Sequence, residues 1–133
     1  MTCSPATLTA ISRYWGKPAE HLEIAEEICY DGTPHTSERR WALEHGFIAR
    51  EFRVDWQSAR ALVDRGVPFT LTTVYPAFAH LQAVIGYDAV RGTLVIRDPM
   101  QPAQGGAGRV ECRAGTRSRG CCTGVVRRRR MRR

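Results

Sequence analysis

Apolar residues recur at helical spacing four times in the first half of the chain, and a glycine follows each stretch. The first stretch begins at Ser4, which can act as an N-cap, and at Pro5, which suits a first helical turn. The pattern predicts helices over residues 4–15, 19–29, 37–45 and 56–65, the last capped by Asp55. Residues 47–54 are expected to form a strand, so this half is mainly helical.

From residue 67 onward the chain acquires the β-branched and aromatic residues that are typical of strands. Strands are predicted over residues 67–74, 81–87 and 93–97. A short connection that contains Gly92 separates the last two, which favours an antiparallel hairpin. The order of elements predicts an α+β fold in which N-terminal helices pack on a C-terminal antiparallel sheet.

The net charge of +7 is concentrated at the end of the chain. Residues 1–98 hold 10 Arg or Lys against 12 Asp or Glu, whereas residues 99–133 hold 10 against 1. We therefore divide the chain into a domain over residues 1–102 and a basic tail over residues 103–133. The tail has no periodic apolar pattern and no aromatic residue that could stack on bases, so a disordered extension is favoured over a nucleic-acid-binding arm.

Other patterns exclude several classes of protein. No run of apolar residues reaches the roughly 18 to 20 that a membrane helix needs, and no secretory signal is visible, so a cytoplasmic protein is expected. Five cysteines without an export signal indicate reduced thiols. The three in the tail lack the paired spacing of a zinc site, and neither a metal nor another cofactor is predicted.

Three residues form a candidate thiol site. Cys3 lies at the start of the first predicted helix, where the helix dipole favours a thiolate. His80 opens an apolar strand after a turn that contains proline, while the other three histidines lie at helix ends or in a polar turn. Asp98 ends the next strand of the hairpin and can orient His80. Each residue also has a purely structural interpretation when taken alone, so their combination carries the hypothesis.

Three segments that contain these residues resemble the C39 peptidase-like group of papain-like thiol peptidases: residues 3–16, 78–88 and 93–99. The resemblance covers about residues 1–100 and implies a papain-like arrangement of the α+β fold. It also implies that Cys3 attacks a peptide carbonyl, that His80 transfers the proton, and that Asp98 orients His80. The expected substrate is a peptide or a small protein.

The sequence departs from this family at one position of the expected site. The family places a glutamine a few residues before the nucleophile as an oxyanion donor, whereas only Met1 and Thr2 precede Cys3. The domain is therefore expected to be truncated at its N-terminus. Two alternatives to an active cysteine peptidase follow: a catalytically impaired relative that binds peptides, and a nucleic-acid-associated protein that acts through its Arg-rich tail.

Overall fold

The computed structural model describes residues 3–29, 35–74, 76–100, 108–111 and 121–127. Its helices are α1 (Cys3–Tyr14), α2 (His21–Ile28), α3 (His35–Glu44) and α4 (Trp56–Asp64). Its strands are β1 (Phe47–Arg53), β2 (Phe69–Val74), β3 (Ala79–Asp88), β4 (Thr93–Arg97), β5 (Gly108–Glu111) and β6 (Cys121–Arg127). The predicted α+β fold is confirmed, since four helices and one strand are followed by the antiparallel strands of the main sheet.

Two of the predicted helix caps, Asp55 and Ser4, had different outcomes. Asp55 caps α4 as expected, because its side chain accepts a hydrogen bond of 2.7 Å from the Ser58 N–H. The prediction for Ser4 was wrong, since α1 already begins at Cys3. The buried Ser4 hydroxyl instead donates to Glu38 Oε1 of α3 at 2.5 Å. The Ser4 hydroxyl, which the local pattern assigned to a helix cap, therefore contacts another helix instead.

The central sheet is antiparallel in the order β2, β3, β4, β5. Thr73 pairs with His80 and Leu71 with Gln82. Because side chains alternate along a strand, Thr73, His80 and Gln82 share one face of the sheet. On the other side of β3, Ala83 pairs with Arg97 at the end of β4. The register therefore places Asp98, the residue after Arg97, at the level of Gln82.

Strands β5 and β6 lie within the region that the sequence assigned to a disordered tail. β5 pairs with β4, and β6 pairs with β1 in a separate two-stranded sheet. Both add to an exposed edge through backbone hydrogen bonds, which need no apolar periodicity in the added strand. The rest of residues 101–133 falls outside the described part of the chain, so the division at residue 102 stays a prediction.

Two hydrophobic clusters cover the two faces of β3. The first joins α1 to the other early helices and includes Leu8, Ile11 and Ala83. The second joins α4 to the sheet and includes Ala59 and Val84. Since Ala83 and Val84 are consecutive and point to opposite faces, α1 and α4 pack on opposite sides of the strand. Among the described residues, no helix has the length and apolar character needed to cross a membrane.

Replacement of Thr72 by valine is expected to stabilise the domain. The Thr72 side chain is buried on β2, and its hydroxyl oxygen has no hydrogen-bond partner within the described residues. Valine has nearly the same shape and removes the polar atom, so the free energy of unfolding should rise by about 1 kcal/mol. Urea unfolding of the two proteins measures this difference. A less stable Thr72→Val protein would mean that the hydroxyl has a partner after all.

Candidate functional site

A buried His–Asp pair lies where β3 begins and β4 ends. His80 Nε2 and Asp98 Oδ1 are 2.7 Å apart, and the two side chains are only 6% and 11% exposed. His80 is the second residue of β3, and Asp98 directly follows β4, so the sheet register positions both. The hairpin thus forms the contact between these residues that the sequence predicted.

The Asp98 carboxylate accepts hydrogen bonds from three donors. Oδ1 accepts from His80 and from the Met100 backbone N–H at 2.8 Å, while Oδ2 accepts from Gln82 Nε2 at 3.0 Å. Burial by itself raises the pKa of Asp98 and is the strongest single influence. The bonds from Met100, His80 and Gln82, together with the charge of His80, outweigh burial and hold this pKa below its ordinary value.

The ionised state of Asp98 fixes the tautomer of His80. A carboxylate can only accept hydrogen bonds, so the proton in the 2.7 Å contact belongs to His80 Nε2. Nδ1 is then the ring nitrogen that can accept a proton from another group. An imidazole held in this way has the properties of a general base.

Cys3 is the first residue of α1 and is 9% exposed. One helical turn later, the Thr7 hydroxyl donates to the carbonyl of Leu81 at 3.0 Å, which ties α1 to the residue after His80. The start of α1 therefore lies near the start of β3. Within the described residues, no hydrogen bond joins the Cys3 thiol to His80. The structure joins two of the three predicted site residues directly and places the third at the end of an adjoining helix.

Gln82 is a fourth polar residue at this site that the sequence did not identify. Its amide donates a hydrogen bond to Asp98. One signal was present: Gln82 is a polar residue in an apolar strand, two positions after His80 and so on the same face. The identity of its partner depends on the pairing of β3 with β4.

Two adjoining grooves run along α1 beside β4. The first has a volume of about 480 Å³ and extends to Pro99, the residue after Asp98. The second has a volume of about 270 Å³ and continues past Tyr14 toward Val67. Arg97 borders both grooves, but the side chains of Cys3 and His80 line neither. The grooves therefore reach Pro99 without including the Cys3 thiol or the His80 ring.

Acid is expected to destabilise the domain through Asp98. A carboxyl whose pKa is lower when folded stabilises the protein above its unfolded pKa, and this contribution disappears as the pH falls through the folded value. The loss should therefore begin near pH 4, where unfolded Asp titrates at about 3.9. Urea unfolding between about pH 2.5 and 5 should give a steeper fall for the wild type than for Asp98→Asn. Equal slopes would contradict this role.

In the part of the chain that the structure describes, no three His, Cys, Asp or Glu side chains lie together in a group that could hold a metal ion. The side chains of the three tail cysteines lie outside that part.

Comparison with protein families gives one match. The model of the Peptidase_C39 like family matches residues 1–116. This range includes all three predicted site residues and extends beyond the boundary at residue 102. No curated protein matches the sequence.

Comparison with solved structures gives the peptidase domain of Streptococcus ComA, a bi-functional ABC transporter involved in a quorum sensing pathway. The alignment covers 95% of this chain and 91% of that domain, with a TM-score of 0.72 and 20% sequence identity. At this identity the likeness establishes a shared fold. This chain therefore shares the α+β fold of that domain.

Proposed function

This chain belongs to the Peptidase_C39 like family, and from that premise we propose that it hydrolyses peptide bonds by a Cys-His-Asp mechanism. Family and fold together make it a cysteine peptidase-like domain. The observation that carries the mechanism is the buried 2.7 Å contact between His80 and Asp98, which leaves one ring nitrogen for a thiol. Cys3 is the nucleophile, His80 the acid and base, and Asp98 the residue that orients His80.

The reaction begins when His80 Nδ1 takes the proton of the Cys3 thiol. The thiolate attacks the carbonyl carbon of the peptide, and the carbonyl oxygen becomes an oxyanion. Collapse of this intermediate breaks the C–N bond, and the leaving amine takes its proton from His80. Water then gives a proton to His80 and attacks the thioester, which releases the carboxylic acid and restores the thiol.

The N-terminus of α1 supplies the donors for the oxyanion in this proposal. Backbone N–H groups of the first helical turn have no partner within the helix. Those of Cys3 and Ser4 are therefore assigned to the developing negative charge, which the helix dipole also stabilises.

A second candidate is a relative that binds peptides without cleaving them. It is favoured by the grooves beside α1, which leave out both Cys3 and His80. In that case a peptide would lie along Tyr14 and Arg97, and its backbone would not reach the thiol. The two candidates share a substrate class and differ in turnover.

A peptide library tests the proposal. Purified protein is incubated with a diverse set of peptides, and new termini are detected by mass spectrometry. A matched sample is first alkylated with iodoacetamide, and the modified thiols are identified by peptide mapping. We expect cleavage by the untreated protein, loss of cleavage after alkylation, and faster alkylation of Cys3 than of Cys29 at neutral pH.

The outcomes separate the two candidates. Retention of peptides without new termini would replace the peptidase with the binding relative. Cleavage that persists when Cys3 is fully alkylated would exclude Cys3 as the nucleophile. Equal alkylation of Cys3 and Cys29 in the folded protein would contradict activation of Cys3 by its surroundings.

A further inference from the structure

The amide of Gln82 bridges Asp98 and strand β2. Gln82 is 4% exposed and lies two residues after His80 on β3. Its Nε2 donates to Asp98 Oδ2 at 3.0 Å, and its Oε1 accepts from the Thr73 hydroxyl at 3.3 Å. Both ends of the amide are therefore in use, and neither faces solvent.

The two contacts fix the direction of the amide. Asp98 can only accept, so the amide must present its nitrogen to Asp98. The Thr73 hydroxyl satisfies the oxygen that remains, and Thr73 is held there because it pairs with His80 across β2 and β3. A chain of hydrogen bonds thus runs from Thr73 through Gln82 to the carboxylate that holds His80.

We propose that Gln82 is a positioning residue of the peptidase site, which holds the Asp98 carboxylate ionised and aligned with the His80 ring. This proposal rests on the proposed function and extends it from three residues to four. Gln82 donates to Asp98, and it therefore acts on His80 through Asp98. With Nε2 bound to Asp98, Nδ1 is the ring nitrogen that the proposed function assigns to the Cys3 thiol.

The groups that titrate at this site come from three elements. His80 lies on β3, Asp98 follows β4, and Cys3 begins α1. Arg97 precedes Asp98 but borders the grooves beside α1. Gln82 carries no charge, so its influence on titration arises from the hydrogen bond that it gives to Asp98.

Gln82→Leu removes the donor and keeps a side chain of similar size. One of three donors to the Asp98 carboxylate is lost, which raises the pKa of Asp98 and weakens its hold on a protonated His80. A hydrogen bond to a charged group carries enough energy for a fall in kcat/KM of about 10- to 100-fold. The bell-shaped pH profile should narrow on both sides, because the pair of thiolate and imidazolium becomes less stable.

Gln82→Glu distinguishes a positioning role from a structural one. A protonated carboxyl group can donate to Asp98 Oδ2 as the amide does, whereas an ionised one cannot and repels Asp98. The ratio of its kcat/KM to that of the wild type should therefore rise as the pH falls. A role limited to packing predicts a ratio that does not depend on pH.

Two neighbouring threonines provide a matched control. Thr73→Val removes the hydroxyl that orients the Gln82 amide, and kcat/KM should fall several-fold with the same narrowing of the profile. Thr72→Val removes a hydroxyl on the opposite face of the same strand, which has no partner within the described residues, and the profile should not change. Thermal unfolding of each protein identifies a temperature at which all the variants are folded, and kcat/KM is compared at that temperature.

The titration of Asp98, followed by NMR, tests the proposal without peptide cleavage. The carboxyl signal of Asp98 is assigned with Asp98→Asn, and it should titrate at higher pH in Gln82→Leu and Thr73→Val than in the wild type, because each variant weakens a hydrogen bond that lowers this pKa. An unchanged midpoint in both variants would overturn the role of Gln82. Absence of cleavage by the wild type would instead overturn the proposed function, so the two failures are distinguishable. If Gln82→Leu does not fold, Thr73→Val and Gln82→Glu give the same measurement.

Discussion

Replacement of Cys3 by alanine is expected to abolish peptide cleavage and to leave the domain folded. Removal of the nucleophile of a peptidase lowers kcat on the order of 10⁶-fold, because no other group can form the covalent intermediate. Alanine is smaller than cysteine and favours helices, so α1 can still begin at this residue. Cleavage of a library peptide, followed by mass spectrometry, measures the loss, and circular dichroism measures the fold.

Cys29→Ala is the matched control for this experiment. Cys29 follows α2 and packs against the first hydrophobic cluster, on a different element from the His–Asp pair. Its replacement should lower the stability slightly and leave kcat/KM unchanged. Retained cleavage by Cys3→Ala would contradict the proposed nucleophile, whereas loss of cleavage in both variants would point to a folding defect.

Local patterns were sufficient to predict most helices and strands of this domain. The helix from Trp56 to Asp64 has an apolar face, a capping Asp55 and a glycine just beyond its end, and the structure follows all three signals. The family predicted from three sequence segments is confirmed by the match over residues 1–116. Such features depend on neighbours in the sequence, and so the sequence reveals them.

Features that depend on pairing between distant elements were not predicted. Strands β5 and β6 pair with the edges of β4 and β1, and a Gly- and Arg-rich sequence can also supply the backbone hydrogen bonds of such a pairing. Ser4 was expected at a cap and contacts Glu38 instead, 34 residues away. In both cases the competing interaction lies far along the chain, where no periodic pattern indicates it.

The candidate site illustrates the same division. The contact between His80 and Asp98 followed from a predicted hairpin, because a turn that contains glycine sets which strand ends meet. The contact between Gln82 and Asp98 could be identified only from the observed strand register, since a shift by one residue would turn the Gln82 amide away from Asp98. The role of Cys3 is still a proposal, which rests on the family and on the start of α1 near β3.

Asp98→Ala is expected to lower kcat/KM on the order of 10³- to 10⁴-fold, as is typical when a catalytic histidine loses its acidic partner. Without the carboxylate, His80 has no fixed tautomer. The Met100 N–H and the Gln82 amide also lose their common acceptor. Unpaired donors in a buried site destabilise the fold as well, so thermal unfolding should begin at a lower temperature than in the wild type. The values of kcat/KM are measured at a temperature at which the wild type and the variants are all folded.

Asp98→Asn should retain much more activity than Asp98→Ala, because the backbone N–H of Met100 fixes the orientation of the new amide. That N–H lies 2.8 Å from Oδ1, so an asparagine must present its oxygen there, and the same oxygen can accept from His80. Its Nδ2 would then face Gln82, whose amide can turn over and accept through Oε1. The remaining loss, from the missing charge, is expected to be about 10- to 100-fold. If Asp98→Asn were as inactive as Asp98→Ala, the charge of Asp98 rather than its geometry would hold His80 in place.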